Sequence, residues 1–297
     1  MIINASILNA LRVSFTSLHN AAFASADPQW KKVAMEVNST GKEEKYGWLG
    51  NFAKFREWIG DRQYQNLKEF DYTIKNRTFE NTITVPREAI EDDSIGIYSP
   101  LAQQLGNDAA MHPDELVFGL LPLAFNTPCY DGQYFIDTDH PVTDATGAVQ
   151  SVSNFGGGAG NPWFLMDCRG PIKPLIFQKR RAYKFVSLQD ETNEEVFKRN
   201  QFIYGVDARV ASGFGLWQLI YGSKQTLDKT NFDSAYAAMQ SVYGDGGKPL
   251  GVRPNLLVCG PSNRSKALEI AKMARLANGQ DNPNVGLVEV LVVPWLP

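Results

Sequence analysis

Between Cys129 and Asp144 the chain gathers side chains of the kinds that bind metal ions: Cys129, Asp137, Asp139, His140 and Asp144. The order Asp-x-Asp-His puts hard oxygen donors beside an imidazole, a donor set suited to a divalent cation and to a metal-dependent hydrolase. The stretch lacks the glycine and the distal glutamate of an EF-hand loop. Aspartates and a histidine next to Pro141 are also what ordinary turns contain. The expectation is turn chemistry, with no metal and no cofactor. Gly156 to Gly160 has the glycine density of a phosphate cradle but no following Lys-Ser/Thr, so a flexible surface loop is expected there. Cys259-Gly260-Pro261-Ser262 lies at a strand-to-helix junction, where nucleophiles often sit, yet it is not a GxSxG elbow. Ser262 is expected to cap the following helix, and Cys259 to face the core. His19 and His112 have no acid or nucleophile nearby in sequence, so no triad forms by proximity. No catalytic constellation emerges from 297 residues, which favours a structural role and argues against an enzyme.

The elements that would position these residues belong to an ordinary folded chain, 43% hydrophobic and 21% charged. A net charge of −3 gives no basic footprint for gripping nucleic acid. Three cysteines, widely spaced and without a CxxC pair, form neither a disulfide framework nor a zinc knuckle and suit a reducing cytosol. The N-terminus lacks the order of a signal peptide, and the most apolar stretch, 116–125, is short and broken by Pro122. The expectation is a soluble, cytoplasmic chain with no membrane contact.

Along the chain, Ile3, Ile7, Leu11 and Phe15 mark one short helical stripe, followed by small polar residues to Pro28. This reads as an arm with a loose connection. Next comes a dense aromatic segment: Trp48, Phe52, Phe55, Trp58, Tyr64, Phe70 and Tyr72, interleaved with Lys54, Arg56, Arg62 and Lys68. Tyr72 to Val85 has strand composition, with a turn expected at Asn76-Arg77. A two-stranded hairpin cannot bury that many rings alone. They pack either on their own core or on a neighbour, since interfaces enrich aromatics with arginine. Ser99 is expected to cap a helix that His112-Pro113 interrupts and that resumes to Phe125. Strands are expected at 172–181, 201–210, 255–259 and 285–293, and helices at 232–243 and 262–276. The order is α+β, without the regular alternation of a doubly wound sheet.

Several short stretches stand out in order: Tyr46-Gly47-Trp48-Leu49-Gly50, Arg56-Glu57-Trp58-Ile59-Gly60, Glu91-Asp92-Asp93 with Gly96-Ile97-Tyr98, and His112-Pro113-Asp114-Glu115-Leu116. They continue with Cys129-Tyr130-Asp131-Gly132-Gln133, Asp139-His140-Pro141, Lys173 to Arg181, and Tyr204-Gly205-Val206. As an ordered set, from about Tyr46 onward, the chain resembles the Mu-like prophage major head subunit family. The resemblance implies the tailed-phage major capsid fold: an N-terminal arm (1–40), an E-loop hairpin (41–85), a peripheral P domain with a long spine helix (86–210, with a loop insertion at 126–165), and an axial A domain with the C-terminal strand (211–297). It further implies a major capsid protein that self-assembles as hexamers and pentamers into an icosahedral head enclosing DNA. Assembly would occur in the host cytoplasm, with a separate scaffolding protein, a portal protein and a decoration protein as partners. Trp48, Phe52, Phe55, Trp58, Tyr72 and Phe79 would then lie at the subunit interface. An encapsulin-like compartment is the alternative on the same fold, and the metal-dependent hydrolase the alternative of another class.

Overall fold

The computed structural model describes residues 4–47, 49, 72–92, 95–190, 192–275 and 279–297. The chain starts with helix α1 (Ala5–Ser25) and passes through β1 (Ala34–Asn38), β2 (Glu43–Lys45), β3 (Thr73–Lys75) and β4 (Arg77–Pro86). Helices α2 (Arg87–Glu91), α3 (Ser99–Phe118) and α4 (Leu120–Leu123) follow. Then come β5 (His140–Thr143), β6 (Val149–Val152), β7 (Phe155–Gly158), β8 (Trp163–Met166), β9 (Leu175–Leu188), α5 (Glu194–Arg199), β10 (Gln201–Phe214) and β11 (Ile220–Lys224). The last part holds α6 (Lys229–Gln240), β12 (Tyr243–Gly244), β13 (Lys248–Pro249), β14 (Leu256–Cys259), α7 (Arg264–Lys272) and β15 (Glu289–Val292).

Two sheets organise these elements. One has strand order β1-β9-β10-β4, the other β15-β14-β8-β11-β7. In β10, Phe202, Tyr204, Val206, Ala208 and Val210 are buried while Asp207 and Arg209 between them are not. That period of two buries one face of the sheet under α1 and α3. β8 is buried on both faces: Phe164 and Met166 join the main core, whereas Trp163 and Leu165 pack with Phe232, Ala235 and Met239 of α6 and Ala267 and Ile270 of α7. A third cluster sits at the far end of the first sheet, where Leu8, Leu11 and Phe15 of α1 meet Val85, Phe202 and Tyr204.

Several elements depart from the sequence reading. The arm helix is longer than its stripe: α1 covers 21 residues, and at its C-terminal half the small Ala22 and the His19 carbonyl lie close on Gly106 of α3. A Cβ placed on Gly106 of α3 would stand 2.2 Å from the His19 carbonyl oxygen. This is a packed helix, not a loose connection. The spine helix does not break at His112-Pro113. It runs through Pro113 to Phe118 and ends at Gly119. Pro113 withholds one intrahelical N–H, yet the helix is held from outside there, since the buried Asp114 accepts the N–H groups of Gln29 at 3.0 Å and Trp30 at 2.8 Å. Ser99 is the first helical residue, and the cap position belongs to Tyr98. β3 and β4 do not form a hairpin about Asn76-Arg77: β3 pairs with β2, and β4 pairs with β10. The root of the intervening segment is fixed by Gln178, fully buried, which accepts the Tyr46 hydroxyl at 2.7 Å and donates to the Ile74 carbonyl at 3.1 Å.

Candidate functional site

The sequence pointed to Cys129, Asp137, Asp139, His140 and Asp144. The structure brings only Cys129 and His140 of these together, around Asp131. Asp144 turns inward on its own loop, accepting from the Thr146 hydroxyl at 2.7 Å, the Thr146 and Ala148 amides, and Gln150. Those bonds, led by the Thr146 hydroxyl, hold its carboxyl down at about 2. Asp137 accepts the amides of Tyr134 and Thr138, and Asp139 is exposed. Asp137 and Asp144 perform turn chemistry, as Asp does wherever a loop must satisfy its own N–H groups.

The buried cluster is made by two converging pieces of chain. The turn at 129–133 closes with the Gly132 amide on the Cys129 carbonyl and the Cys129 amide on the Gln133 carbonyl. β5 brings His140 against it. Asp131 then receives His140 Nδ1 at 2.7 Å, the Cys129 thiol at 3.1 Å and the Gln133 amide at 3.1 Å. The His140 ring lies flat on Trp217, 4.0 Å between centroids. Burial alone would raise the Asp131 carboxyl, but the His140 hydrogen bond and charge, with the thiol and amide, bring it below its ordinary value. Burial, then the neighbouring Asp131, pushes the Cys129 thiol far up, away from the thiolate form that nucleophilic attack would need.

The three donor atoms lie within 4.8 Å of one another, close enough to prompt the metal reading. However, 2.7 Å between His140 Nδ1 and Asp131 is a hydrogen-bond distance. Two ligands of a tetrahedral zinc stand roughly 3.3 Å apart, given bonds of about 2.0–2.1 Å. The arrangement is a carboxylate satisfied by three donors that ties the 129–133 turn to β5. Asp131 escaped the sequence search because only the Asp-x-Asp-His run drew attention. Its turn-forming Asp-Gly was the available signal.

The remaining candidates resolve into structure. Gly156 to Gly158 is strand β7, not a flexible loop. Gly158 has φ of +90°, and a Cβ on it would meet the Gln225 amide nitrogen at 2.3 Å, so glycine serves close strand approach. Cys259 is in the core, its thiol pushed up to about 11 by burial. Ser262 does not cap a helix. Its hydroxyl donates to the Pro297 carbonyl at 2.7 Å and accepts from Asn161, while α7 begins two residues later. His112 bonds the Tyr183 hydroxyl at 2.6 Å, and His19 lies against Phe185. Neither touches a nucleophile.

Of the six expected interface aromatics, Trp48, Phe52, Phe55 and Trp58 lie outside the described residues. Tyr72 is half-buried, and its oxygen accepts the Phe214 amide at 2.9 Å. Phe79, on β4, is half-buried beside His112 at 4.5 Å, with the Arg77 guanidinium over its ring. It lines a groove of about 430 Å³ between α3 and β4. Sequence reasoning passed over two more exposed apolar residues, Phe197 (82% exposed) and Ile97 (72%). Phe197 stands between the Glu194–Lys198 and Glu195–Arg199 pairs of α5, a charged setting that hides it in a sequence.

This architecture is that of known phage shells. The chain is similar to the subunit in the procapsid of bacteriophage JBD30, with 45% identity, a TM-score of 0.89, and coverage of 99% of this chain and 100% of that one. It is also similar to the subunit of the bacteriophage JBD30 capsid, with 35% identity, a TM-score of 0.77, and coverage of 99% of each. The fold is thus the tailed-phage major capsid fold, and the function is that of a major capsid protein. In sequence, the chain is 37% identical to the major capsid protein of Escherichia phage Mu over 100% of both chains. It is 41% identical to the Mu-like prophage FluMu major head subunit of Haemophilus influenzae, over 89% of this chain and 88% of that one. The chain belongs to the family described as Mu-like prophage major head subunit gpT, whose model matches residues 8–296.

Proposed function

We propose that this major capsid protein builds the icosahedral head from hexamers and pentamers of itself, encloses DNA without sequence-specific contacts, and has no enzymatic role. The observation that carries this reading is the 0.89 TM-score to a procapsid subunit over 99% of the chain. The rest is physical. One chain closing both five-fold and six-fold rings needs heterologous contacts that tolerate a change of angle. A net charge of −3 lets a shell hold packed phosphate without sticking to it. Assembly takes place in the host cytoplasm with a separate scaffolding protein and a portal protein. A decoration protein joins afterwards, as the JBD30 capsid decorated with minor capsid protein trimers suggests.

Within the shell, the arm is 1–40, the E-loop 41–85, the P domain 86–210 and the A domain 211–297. The E-loop aromatics Trp48, Phe52, Phe55 and Trp58, with Tyr72 and Phe79 at its base, supply the contact between subunits. The test is a pair of variants. Trp58→Ala should leave a subunit with an unchanged thermal transition that builds no shells. Phe118→Ala removes a fully buried ring stacked on Trp295 at 5.4 Å and should lose ~3–5 kcal/mol of fold stability. If Trp58→Ala unfolds the subunit while Phe118→Ala still assembles, the placing of the interface is wrong.

A further inference from the structure

The sheet that carries the spine helix has two unlike edges. On one side β1 contributes five residues. On the other, β4 runs for ten, about 33 Å of strand. Its pairing with β10 holds one register without interruption from Gln201↔Pro86 to Val210↔Arg77, whereas the β9–β10 pairing shifts around Arg209. One step beyond that register, the Arg87 N–H bonds the Asn200 carbonyl at 3.0 Å. Hydrogen-bonded positions alternate along an antiparallel pair. The odd-numbered residues of β4 therefore bond β10, and Thr78, Glu80, Thr82 and Thr84 turn their N–H and C=O groups away from the sheet. All four are exposed, and among the described residues none has a backbone partner on that side.

Natural sheets blunt such edges with lysine, proline, bulges or short strands. β4 has no bulge and no lysine, and its proline comes only at its last residue. Its outward positions are three threonines and one glutamate, a composition that favours strand pairing. Beside the edge lies the groove between α3 and β4, with Phe79, Leu105 and Trp295 in its lining. The lining also holds the carboxylates of Glu80, Asp108 and Glu115 and no lysine or arginine.

We propose that the open edge of β4 is a strand-docking site, to which an extended segment of a second copy of this chain adds as a fifth strand. Its backbone bonds the outward groups of Thr78, Glu80, Thr82 and Thr84. Its alternate side chains, apolar or cationic, enter the groove. The occupant is a second copy because a capsid subunit spends its life packed among copies of itself. An unprotected edge of this length would otherwise pair at random with those same copies. The inference rests on the shell reading above.

Hydrogen exchange resolved to single amides, in free subunits and in assembled shells, tests it directly. The odd-numbered amides of Phe79, Asn81 and Ile83 should be slow in both states. Those of Thr78, Glu80, Thr82 and Thr84 should be fast in the subunit and slow by roughly a hundredfold or more in shells. If shells are visible by electron microscopy and the four even-numbered amides still exchange at the free-subunit rate, the docking site does not exist and the shell reading survives. If the wild-type chain forms no shells, both fall. Thr82→Pro removes one outward N–H and no bond to β10. It should keep the subunit's thermal transition and cut shell yield at least tenfold, whereas Thr82→Val, which keeps the N–H, should assemble. Wild-type yield from a folded Thr82→Pro would overturn the proposal. Should that variant fail to fold, the exchange measurement decides alone.

Discussion

Asp114 is the residue through which the spine helix holds the start of the chain, and its removal has a calculable cost. Its carboxylate, nearly fully buried, accepts the amides of Gln29 and Trp30. Those bonds fix the turn that leads into β1 and place Trp30 against Phe177, 4.5 Å between ring centroids. Hydrogen bonds to a charged group contribute ~1.5–3 kcal/mol each, and two together ~3–6 kcal/mol. Against this stands the cost of burying the carboxylate, which raises its pKa above the ordinary 3.8. Asp114→Ala should therefore destabilise the free subunit by ~2–4 kcal/mol, a fall in melting temperature of roughly 3–6 °C for a chain of this size. Asp114→Asn keeps one acceptor oxygen and should lose about half as much. The pH dependence has a definite sign. A carboxyl raised in the folded state contributes most below 3.8 and loses that contribution as pH rises through its folded value. The deficit of Asp114→Ala should accordingly narrow between acid and neutral pH. Differential scanning calorimetry of the free subunit at several pH values measures both. A variant melting within a degree of wild type would refute the idea that Asp114 anchors the arm.

Other outcomes follow from the same contacts. Gly106→Ala puts a Cβ 2.2 Å from the His19 carbonyl oxygen, so α1 and α3 must separate. The expected loss is ~1–3 kcal/mol, with faster proteolysis inside residues 5–25 than in wild type. Asp131 behaves oppositely to Asp114: its folded pKa is lowered, so its contribution is present above 3.8 and disappears as pH falls through the folded value. Acid unfolding monitored by circular dichroism should show wild type losing its advantage over Asp131→Asn below about pH 4, and a constant difference across that range would contradict the assignment. Cys129, held protonated by burial, should react with a thiol reagent only upon unfolding, and rapid labelling of the native subunit would be the contrary result.

Much of the fold was legible because period and composition carry it. The strands expected at 201–210 and 255–259 correspond to β10 and β14. The helix expected from Ser99 corresponds to α3. What remained hidden depended on tertiary partners. Pro113 reads as a helix break until Asp114 is seen bonding residues 29 and 30, some 85 positions away. Asn76-Arg77 reads as a hairpin turn because propensity does not say which sheet a strand joins. The small residues at the end of α1 read as loose chain because the close approach of His19 and Ala22 to Gly106 is made on another helix, far along the chain. The site was less legible still. Local spacing favoured Asp137 and Asp144, each of which satisfies its own loop, and the exposed Asp139, and missed Asp131, whose partners His140 and Cys129 converge only in three dimensions.

The central claim is that copies of this chain close into a shell. Cryo-electron microscopy of the protein co-expressed with the neighbouring head genes is the direct measurement. Closed icosahedral particles should appear whose subunits show this fold and whose walls contain hexamers and pentamers of it. A chain that stays monodisperse and monomeric under those conditions, folded and yet building no shell, would contradict the account.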